Sequence, residues 1–204
     1  MPPIEISLTT LMDFVGKTGP PRVTCVREAH ARYATDYHPM MDFWRPLREA
    51  VAIAHQSGGT LATLDTLPGR VSERKREHYR NGVEGYRKFI RNRQIGWFQA
   101  ASSLWSAHGL SVKINPELGL VIDGRAHHVK LYLRKEPLQR PAAQSILYLL
   151  GQLPAGEHDA TPLVLDVLRA KSFEPNRRTE RMGPLLEGEA AAFVAMWHGV
   201  DQAA

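Results

Sequence analysis

Residues 115–134 read NPELGLVIDGRAHHVKLYLR, and this stretch decides the fold. Apolar residues recur at every second position on both sides of an Asp-Gly pair, which is the pattern of a β-hairpin with a two-residue turn. In that register Glu117 pairs with Lys130, and Gly119 pairs with His128. Side chains two residues apart share one face of a strand. Glu117, His128 and Lys130 are therefore predicted to lie on one face of a sheet, with open space beside His128 because Gly119 has no side chain.

The residues around the hairpin predict an α/β (α+β) protein. A basic helix over residues 72–93 comes first, and from residue 97 β-prone segments lead into the hairpin as an antiparallel meander. A helix over residues 140–150, a buried strand over residues 162–171 and a helix over residues 187–198 follow. We therefore expect a mixed β-sheet core in α-β-β-β-α-β order with a C-terminal helix.

From Ser7 to the basic helix the chain is predicted to be helical. Its three helices are expected over residues 8–15, 23–34 and 41–56. A start near Arg45 is an equally good interpretation for the third helix, because proline suits a first helical turn and Pro46 follows. We therefore predict an N-terminal helical region, residues 1–71, that packs on an α/β core formed by residues 72–204.

Length and composition predict an ordinary globular protein. The 204 residues are 43% hydrophobic, which is enough for a substantial core. No run approaches the roughly 20 apolar residues of a membrane-spanning helix, and the amino terminus does not read as a secretion signal. A cytoplasmic location without membrane contact is therefore predicted. The single cysteine, Cys25, cannot form an internal disulfide and is expected to be a small buried residue.

Positive charge is concentrated in the basic helix. Residues 70–93 hold nine basic residues against three acidic ones, a net charge of +6, whereas the whole chain carries +5. An apolar stripe at helical spacing would bury one face and leave the cations in water on the other. The residues predicted to contact nucleic-acid phosphates are Arg76, Arg80, Arg87, Lys88 and Arg91. The alternative is a solvated helix with internal ion pairs, such as Glu84 with Lys88.

Several short motifs lie at informative positions in this order of elements. Pro116-Glu117 is followed, ten residues later, by His128-Val129-Lys130, and residues 144–148 form a Gln-x-x-x-Tyr pattern on the next helix. Together they resemble the restriction-endonuclease-like, or PD-(D/E)XK, superfamily and its RecB-like QxxxY members. The resemblance covers residues 72–171. The sequence departs from the family pattern at His128, where the family has an acid.

The resemblance implies a metal-dependent nuclease that hydrolyses nucleic-acid phosphodiesters. The catalytic residues that it implies are Glu117, Lys130, His128 and Gln144. The metal ligands that it implies are Glu84, Glu117 and Asp123, around Mg²⁺ or Mn²⁺. Lys130 would position a water molecule, and the nitrogen of His128 suits Mn²⁺ better than Mg²⁺. The alternative is a non-catalytic module of the same fold, and the sequence leaves a nucleic acid, a protein partner and a second copy of the chain open as its partner.

Overall fold

A computed structural model describes residues 3–34, 42–58, 61–156 and 158–202, which form a mixed α/β fold. The helices of this part of the chain are α1 (Leu8–Val15), α2 (Pro20–Tyr33), α3 (Arg45–Gln56), α4 (Ala62–Thr66), α5 (Glu73–Ile90), α6 (Arg140–Leu150) and α7 (Gly183–Asp201). The strands are β1 (Ile4–Ser7), β2 (Ile95–Phe98), β3 (Ser103–Ala107), β4 (Leu110–Ile114), β5 (Leu118–Ile122), β6 (Arg125–Tyr132), β7 (Thr161–Asp166) and β8 (Lys171–Phe173).

A five-stranded sheet in the order β2-β5-β6-β7-β8 forms the centre of the fold. Strands β2, β5 and β6 are antiparallel neighbours, and β7 runs parallel to β6. Two parallel neighbours need a crossover connection, which α6 provides. Along the chain, the elements of this sheet follow α5 as β2, β5, β6, α6 and β7, so the predicted α-β-β-β-α-β order is confirmed for the central sheet.

A second sheet of three strands, in the order β1-β4-β3, was not predicted. Strand β4 leaves the expected meander and pairs with β3 on one side and, in parallel, with β1 on the other. The prediction of one continuous meander was wrong here, and β1 adds a strand ahead of the helices that were predicted from residue 8 onward. Four residues are too short for a reliable alternation pattern, and the partner of β1 lies far along the chain.

Two apolar clusters hold the layers together. One cluster lies between α3, α5 and one face of the five-stranded sheet, and it contains the buried stripe of α5 with Val129 and Leu131 of β6. The other cluster joins α1, α2, α6 and α7 to the three-stranded sheet and to Val164 and Phe173 of the larger one. Cys25 is buried in it, as predicted. Both faces of the central sheet are therefore covered.

Several predicted element ends differ from the structure. Helix α5 follows Ser72 as predicted but ends at Ile90, because Arg91 leaves the helical conformation with a ψ of 132° and Asn92 then adopts a left-handed φ of 60°. The predicted strand over residues 162–171 is divided by a 3-10 turn at residues 167–169 and by Ala170, whose φ is 50°. Helix α7 extends beyond both ends of the predicted residues 187–198.

The third helix starts at the alternative position. Helix α3 begins at Arg45, with Pro46 in its first turn, and the other predicted start, Met41, lies outside the described residues. Ser7 precedes α1 as expected, and its hydroxyl accepts a hydrogen bond from the main-chain N–H of Thr10 at 3.2 Å. No helix in the described ranges combines the length and apolar character needed to cross a membrane.

Candidate functional site

The β5–β6 hairpin has the predicted register. Gly119 pairs with His128, and the turn at Asp123 and Gly124 has positive φ angles of 49° and 84°. One step beyond the paired residues, Lys130 Nζ donates a hydrogen bond to Glu117 Oε1 at 2.6 Å. The cross-strand contact between this acid and this amine is therefore present as predicted.

The carboxylate of Glu117 is engaged at both of its oxygens. Its Oε2 accepts a hydrogen bond from the main-chain N–H of Leu131 at 2.8 Å, and Arg48 Nε lies 3.9 Å from Oε1. Lys130 Nζ also donates to the main-chain carbonyl of Asn115 at 3.4 Å. The side chains of Glu117 and Lys130 are only 14% and 12% exposed. This end of the hairpin is a largely buried charge cluster whose members already have partners.

Arg48 and Asp42 belong to the same cluster, and sequence reasoning missed both. Arg48 lies on α3 and forms an ion pair with Asp42 just before that helix, so it joins the N-terminal region to the start of β5. The contact between Arg48 and Glu117 connects residues that are far apart in sequence. No local pattern could have predicted it.

The three predicted metal ligands are not brought together. Glu84 is exposed on α5, and Asp123 accepts a hydrogen bond from the main-chain N–H of Gln94 at 2.9 Å. Glu117 and Asp123 flank opposite ends of β5. At a rise of about 3.4 Å per residue, their Cα atoms are roughly 20 Å apart. In the part of the chain that the structure describes, no three His, Cys, Asp or Glu side chains form a group that could hold a metal ion. These residues do not fit a shared Mg²⁺ or Mn²⁺ ion.

Gln144 and Tyr148 face another part of the molecule. Gln144 is buried, and its amide oxygen accepts a hydrogen bond from the hydroxyl of Thr179. The hydroxyl of Tyr148, one turn later, lies so close to Gly183 that a Cβ there would approach it to 2.7 Å. The QxxxY residues therefore contact the segment that leads into α7. Within the described ranges, no hydrogen bond links Gln144 to Glu117 or Lys130.

His128 lies on the same strand face as Lys130 but in different surroundings. It is 5% exposed, its Nδ1 has no hydrogen-bond partner in the described structure, and burial lowers its pKa. The space predicted beside it is not open, because the ring of Phe98 fills it. A Cβ on Gly119 would lie 2.4 Å from the carbonyl oxygen of Phe98 and 2.8 Å from its ring. His128 is thus a neutral, buried imidazole next to an aromatic ring.

The basic face of α5 is partly neutralised. Arg76 pairs with Glu73 at 3.0 Å, and Arg87 pairs with Asp65 at 2.7 Å. Two further cations of the segment, Lys75 and Arg93, lie over the rings of aromatic residues. Arg80, Lys88 and Arg91 are exposed and form no ion pair within the described residues. Of the five residues predicted to contact phosphates, these three are the ones left for a partner.

The fold and the hairpin define a mixed α/β protein with an internally paired charge cluster at one end of its central sheet. Comparison of the sequence with models of known protein families and with curated protein sequences finds no match in either. The resemblance to the restriction-endonuclease-like superfamily stays a prediction.

Proposed function

We propose that this protein is a non-catalytic, nucleic-acid-binding module built on a restriction-endonuclease-like scaffold. One observation favours this proposal over a nuclease. Both carboxylate oxygens of Glu117 accept hydrogen bonds, one from Lys130 and one from the N–H of Leu131, and Arg48 lies 3.9 Å from the carboxylate. A divalent ion would have to displace these partners. It would then find an imidazole, His128, where a second carboxylate is expected.

The chemistry of the ion strengthens this choice. Mg²⁺ keeps near-ideal octahedral oxygen coordination, and its protein ligands are mainly carboxylates. The cations beside Glu117 already neutralise its charge, so an incoming ion gains little electrostatic attraction there. Glu117 and Lys130 are accordingly interpreted as a structural ion pair that secures the start of β5 against β6.

Exposed cations of α5 and of the residue that follows it provide the contact surface. Arg80 and Lys88 on α5 and Arg91 directly after it are exposed to solvent and form no ion pair within the described residues. Contacts of this kind gain affinity by releasing condensed counterions. They do not read sequence, because phosphates carry no base information. We therefore expect binding that is strongly salt-dependent and largely indifferent to base sequence. The cytoplasmic location stays a prediction from the sequence.

A binding experiment tests the surface. Fluorescence anisotropy would compare the wild-type chain with the triple variant Arg80→Gln, Lys88→Gln, Arg91→Gln on a single-stranded and a double-stranded oligonucleotide. The variant should lose at least about tenfold in affinity, and its slope of log K against log salt should fall by about two to three. The control triple variant, with the same loss of charge on exposed residues of other elements, is Arg27→Gln, Lys113→Gln, Arg177→Gln. Equal effects of the two triples would remove α5 as the binding surface.

A metal titration tests the proposal that the protein has no metal-dependent nuclease activity. Calorimetry with Mg²⁺ and with Mn²⁺ should give no binding heat that depends on Glu117, so wild type and Glu117→Gln should give the same trace. Neither protein should cleave oligonucleotides in the presence of either ion. Cleavage by the wild type that disappears in Lys130→Ala would overturn the non-catalytic assignment. Light scattering on the same samples would show whether a second copy of the chain is the partner instead.

A further inference from the structure

A cavity of about 210 Å³ lies on the face of the central sheet that carries His128, away from the Glu117–Lys130 pair. Its walls come from the end of β2, from His128 of β6 and from the loop before β7. The inner wall is mainly apolar and includes the ring of Phe98 and the side chain of Ala160. The exposed residues Gln99, His158 and Asp159 form a polar rim.

The imidazole of His128 forms part of the wall of this cavity. His128 is 95% buried, and its Nδ1 has no hydrogen-bond partner in the described structure. Buried polar groups without a partner are rare in native proteins and call for an explanation. No hydrogen bond of the His128 side chain occurs in the described structure, so a ligand in the cavity that hydrogen-bonds to the imidazole would give this side chain a polar partner.

The shape of the wall favours a flat ring. Phe98 is held against Gly119, and its ring centroid lies 5.6 Å from that of His128 and 4.6 Å from that of His158. The volume exceeds the roughly 150 Å³ of a cavity known to hold benzene and is below the roughly 300 Å³ of typical drug-sized pockets. One planar ring system therefore matches the space.

Charge limits the ligand further. None of the described residues that line the cavity is Lys or Arg, and the rim carries the carboxylate of Asp159. Burial lowers the pKa of His128, so its imidazole is neutral near pH 7. Among the described lining residues, a phosphate or a carboxylate would therefore find no Lys or Arg side chain to pair with. The cavity suits a neutral heteroaromatic ring with hydrogen-bonding groups on its edge.

We infer that the cavity beside Phe98 and His128 binds a nucleobase, either in a free nucleoside or as an unpaired base of a strand. Bases stack on aromatic side chains and present donors and acceptors at their edges, which are the two features that this wall can recognise. Binding of a free nucleoside does not depend on the proposed nucleic-acid-binding function. Binding of an unpaired base of a strand rests on that function, because the phosphates of the strand would be bound elsewhere on the protein.

The test is an NMR titration of the full chain with adenosine, cytidine, guanosine and uridine, with ribose as the control probe. The ring nitrogens of His128 should shift with at least one nucleoside at about 1 mM, and ribose should leave them unchanged. His128→Leu should raise the Kd at least about tenfold, since one hydrogen bond is lost. Ala160→Phe, which puts a large side chain into the cavity and leaves His128 in place, should also abolish binding, so the proposal can still be tested if His128→Leu does not fold.

His127→Leu is the matched control. His127 is 6% exposed, and its Nδ1 also has no partner in the described structure, but its side chain points to the opposite face of β6. Its substitution should change the Kd less than about twofold, within the error of such comparisons. An equal loss in both histidine variants, or a shift caused by ribose alone, would overturn the assignment of the cavity.

The outcomes separate the two proposals. Oligonucleotide binding that His128→Leu leaves unchanged, with no nucleoside shift at His128, would remove the cavity site and leave the nucleic-acid function standing. A nucleoside shift without oligonucleotide binding would support the cavity with a free nucleoside as its ligand and would remove the proposed function. An oligonucleotide affinity that falls in both His128→Leu and the α5 triple variant supports an unpaired base as the occupant.

Discussion

Two positions on one face of β6, only two residues apart, differ in how far their polar groups are satisfied. Lys130 is paired with Glu117, and that carboxylate is bound on its other side by Leu131 and approached by Arg48. His128 is more deeply buried, yet its Nδ1 has no partner in the described structure, and a cavity adjoins it. Roughly 7 Å along the strand separates the two positions.

The difference shows that residue identity alone does not mark a site. Acid, lysine and histidine on one face looked like a catalytic set, because each has the chemistry that a nuclease needs. Once the contacts are known, the end of the hairpin with the Glu117–Lys130 pair, the paired end, is a structural element that holds strands together. The part of the same face around His128, the unpaired end, has unused hydrogen-bonding capacity that a ligand can satisfy. Four predictions test this contrast.

The largest effect is expected where the paired end is broken. Lys130→Ala leaves the largely buried carboxylate of Glu117 without its closest cation, and breaking such a pair typically costs about 3 kcal/mol. Urea unfolding should show this as a lower midpoint. Lys113→Ala, at an exposed position of β4, is the control and should change stability by less than about 0.5 kcal/mol. Equal midpoints for the two variants would mean that the pair contributes nothing to the fold.

A smaller loss is expected from Gly119→Ala, which should disturb the wall of the cavity. The added Cβ meets the main-chain oxygen and the ring of Phe98, neither of which can move freely in a packed sheet. We expect destabilisation by about 2 kcal/mol, the usual cost of overpacking, together with loss of nucleoside binding. Gly188→Ala, in α7 with nothing within 4 Å of the new Cβ, should be neutral or slightly stabilising. Unchanged nucleoside binding in Gly119→Ala would show that Phe98 does not form the wall.

The hairpin could be predicted because its determinants are local. The alternation of apolar residues and the Asp-Gly turn fix the register, and the register alone brings Glu117 to Lys130. The buried stripe of α5 follows from helical spacing in the same way. Strand β1 was missed, because four residues give too short a pattern and its pairing with β4 is distant in sequence.

The surroundings of the site could not be predicted, since they come from other elements. Phe98 reaches Gly119 from the edge strand β2, and Arg48 reaches Glu117 from α3. The separation of Glu117 from Asp123 follows from the length of β5, and sequence reasoning had the means to notice it. The exposed place of Glu84 depends on which face of α5 packs against the sheet.

The third prediction is that a substitution at His128, unlike one at Lys130, does not lower the free energy of unfolding. His128→Leu removes a buried polar group that has no partner, so the unfolding free energy should stay within about 1 kcal/mol of wild type or rise. Lys130→Ala, two residues away, should lower it. Urea midpoints of both variants in one buffer would show the contrast. A loss from His128→Leu as large as that from Lys130→Ala would mean that the imidazole has a structural partner after all.

The smallest effect is a change in the pH dependence of stability. Burial lowers the pKa of His128 below its ordinary value of 6.5, so on acidification the unfolded chain takes up the proton before the folded chain does. The stability that neutral His128 contributes is therefore complete above pH 6.5 and declines as the pH falls below that value. In His128→Leu this part of the decline, at most about 1.4 kcal/mol per pH unit, should disappear, whereas the parts due to His55 and His127 should remain. Urea midpoints on both sides of pH 6.5 measure it, and identical pH profiles for wild type and His128→Leu would show that this imidazole is not desolvated in the folded chain.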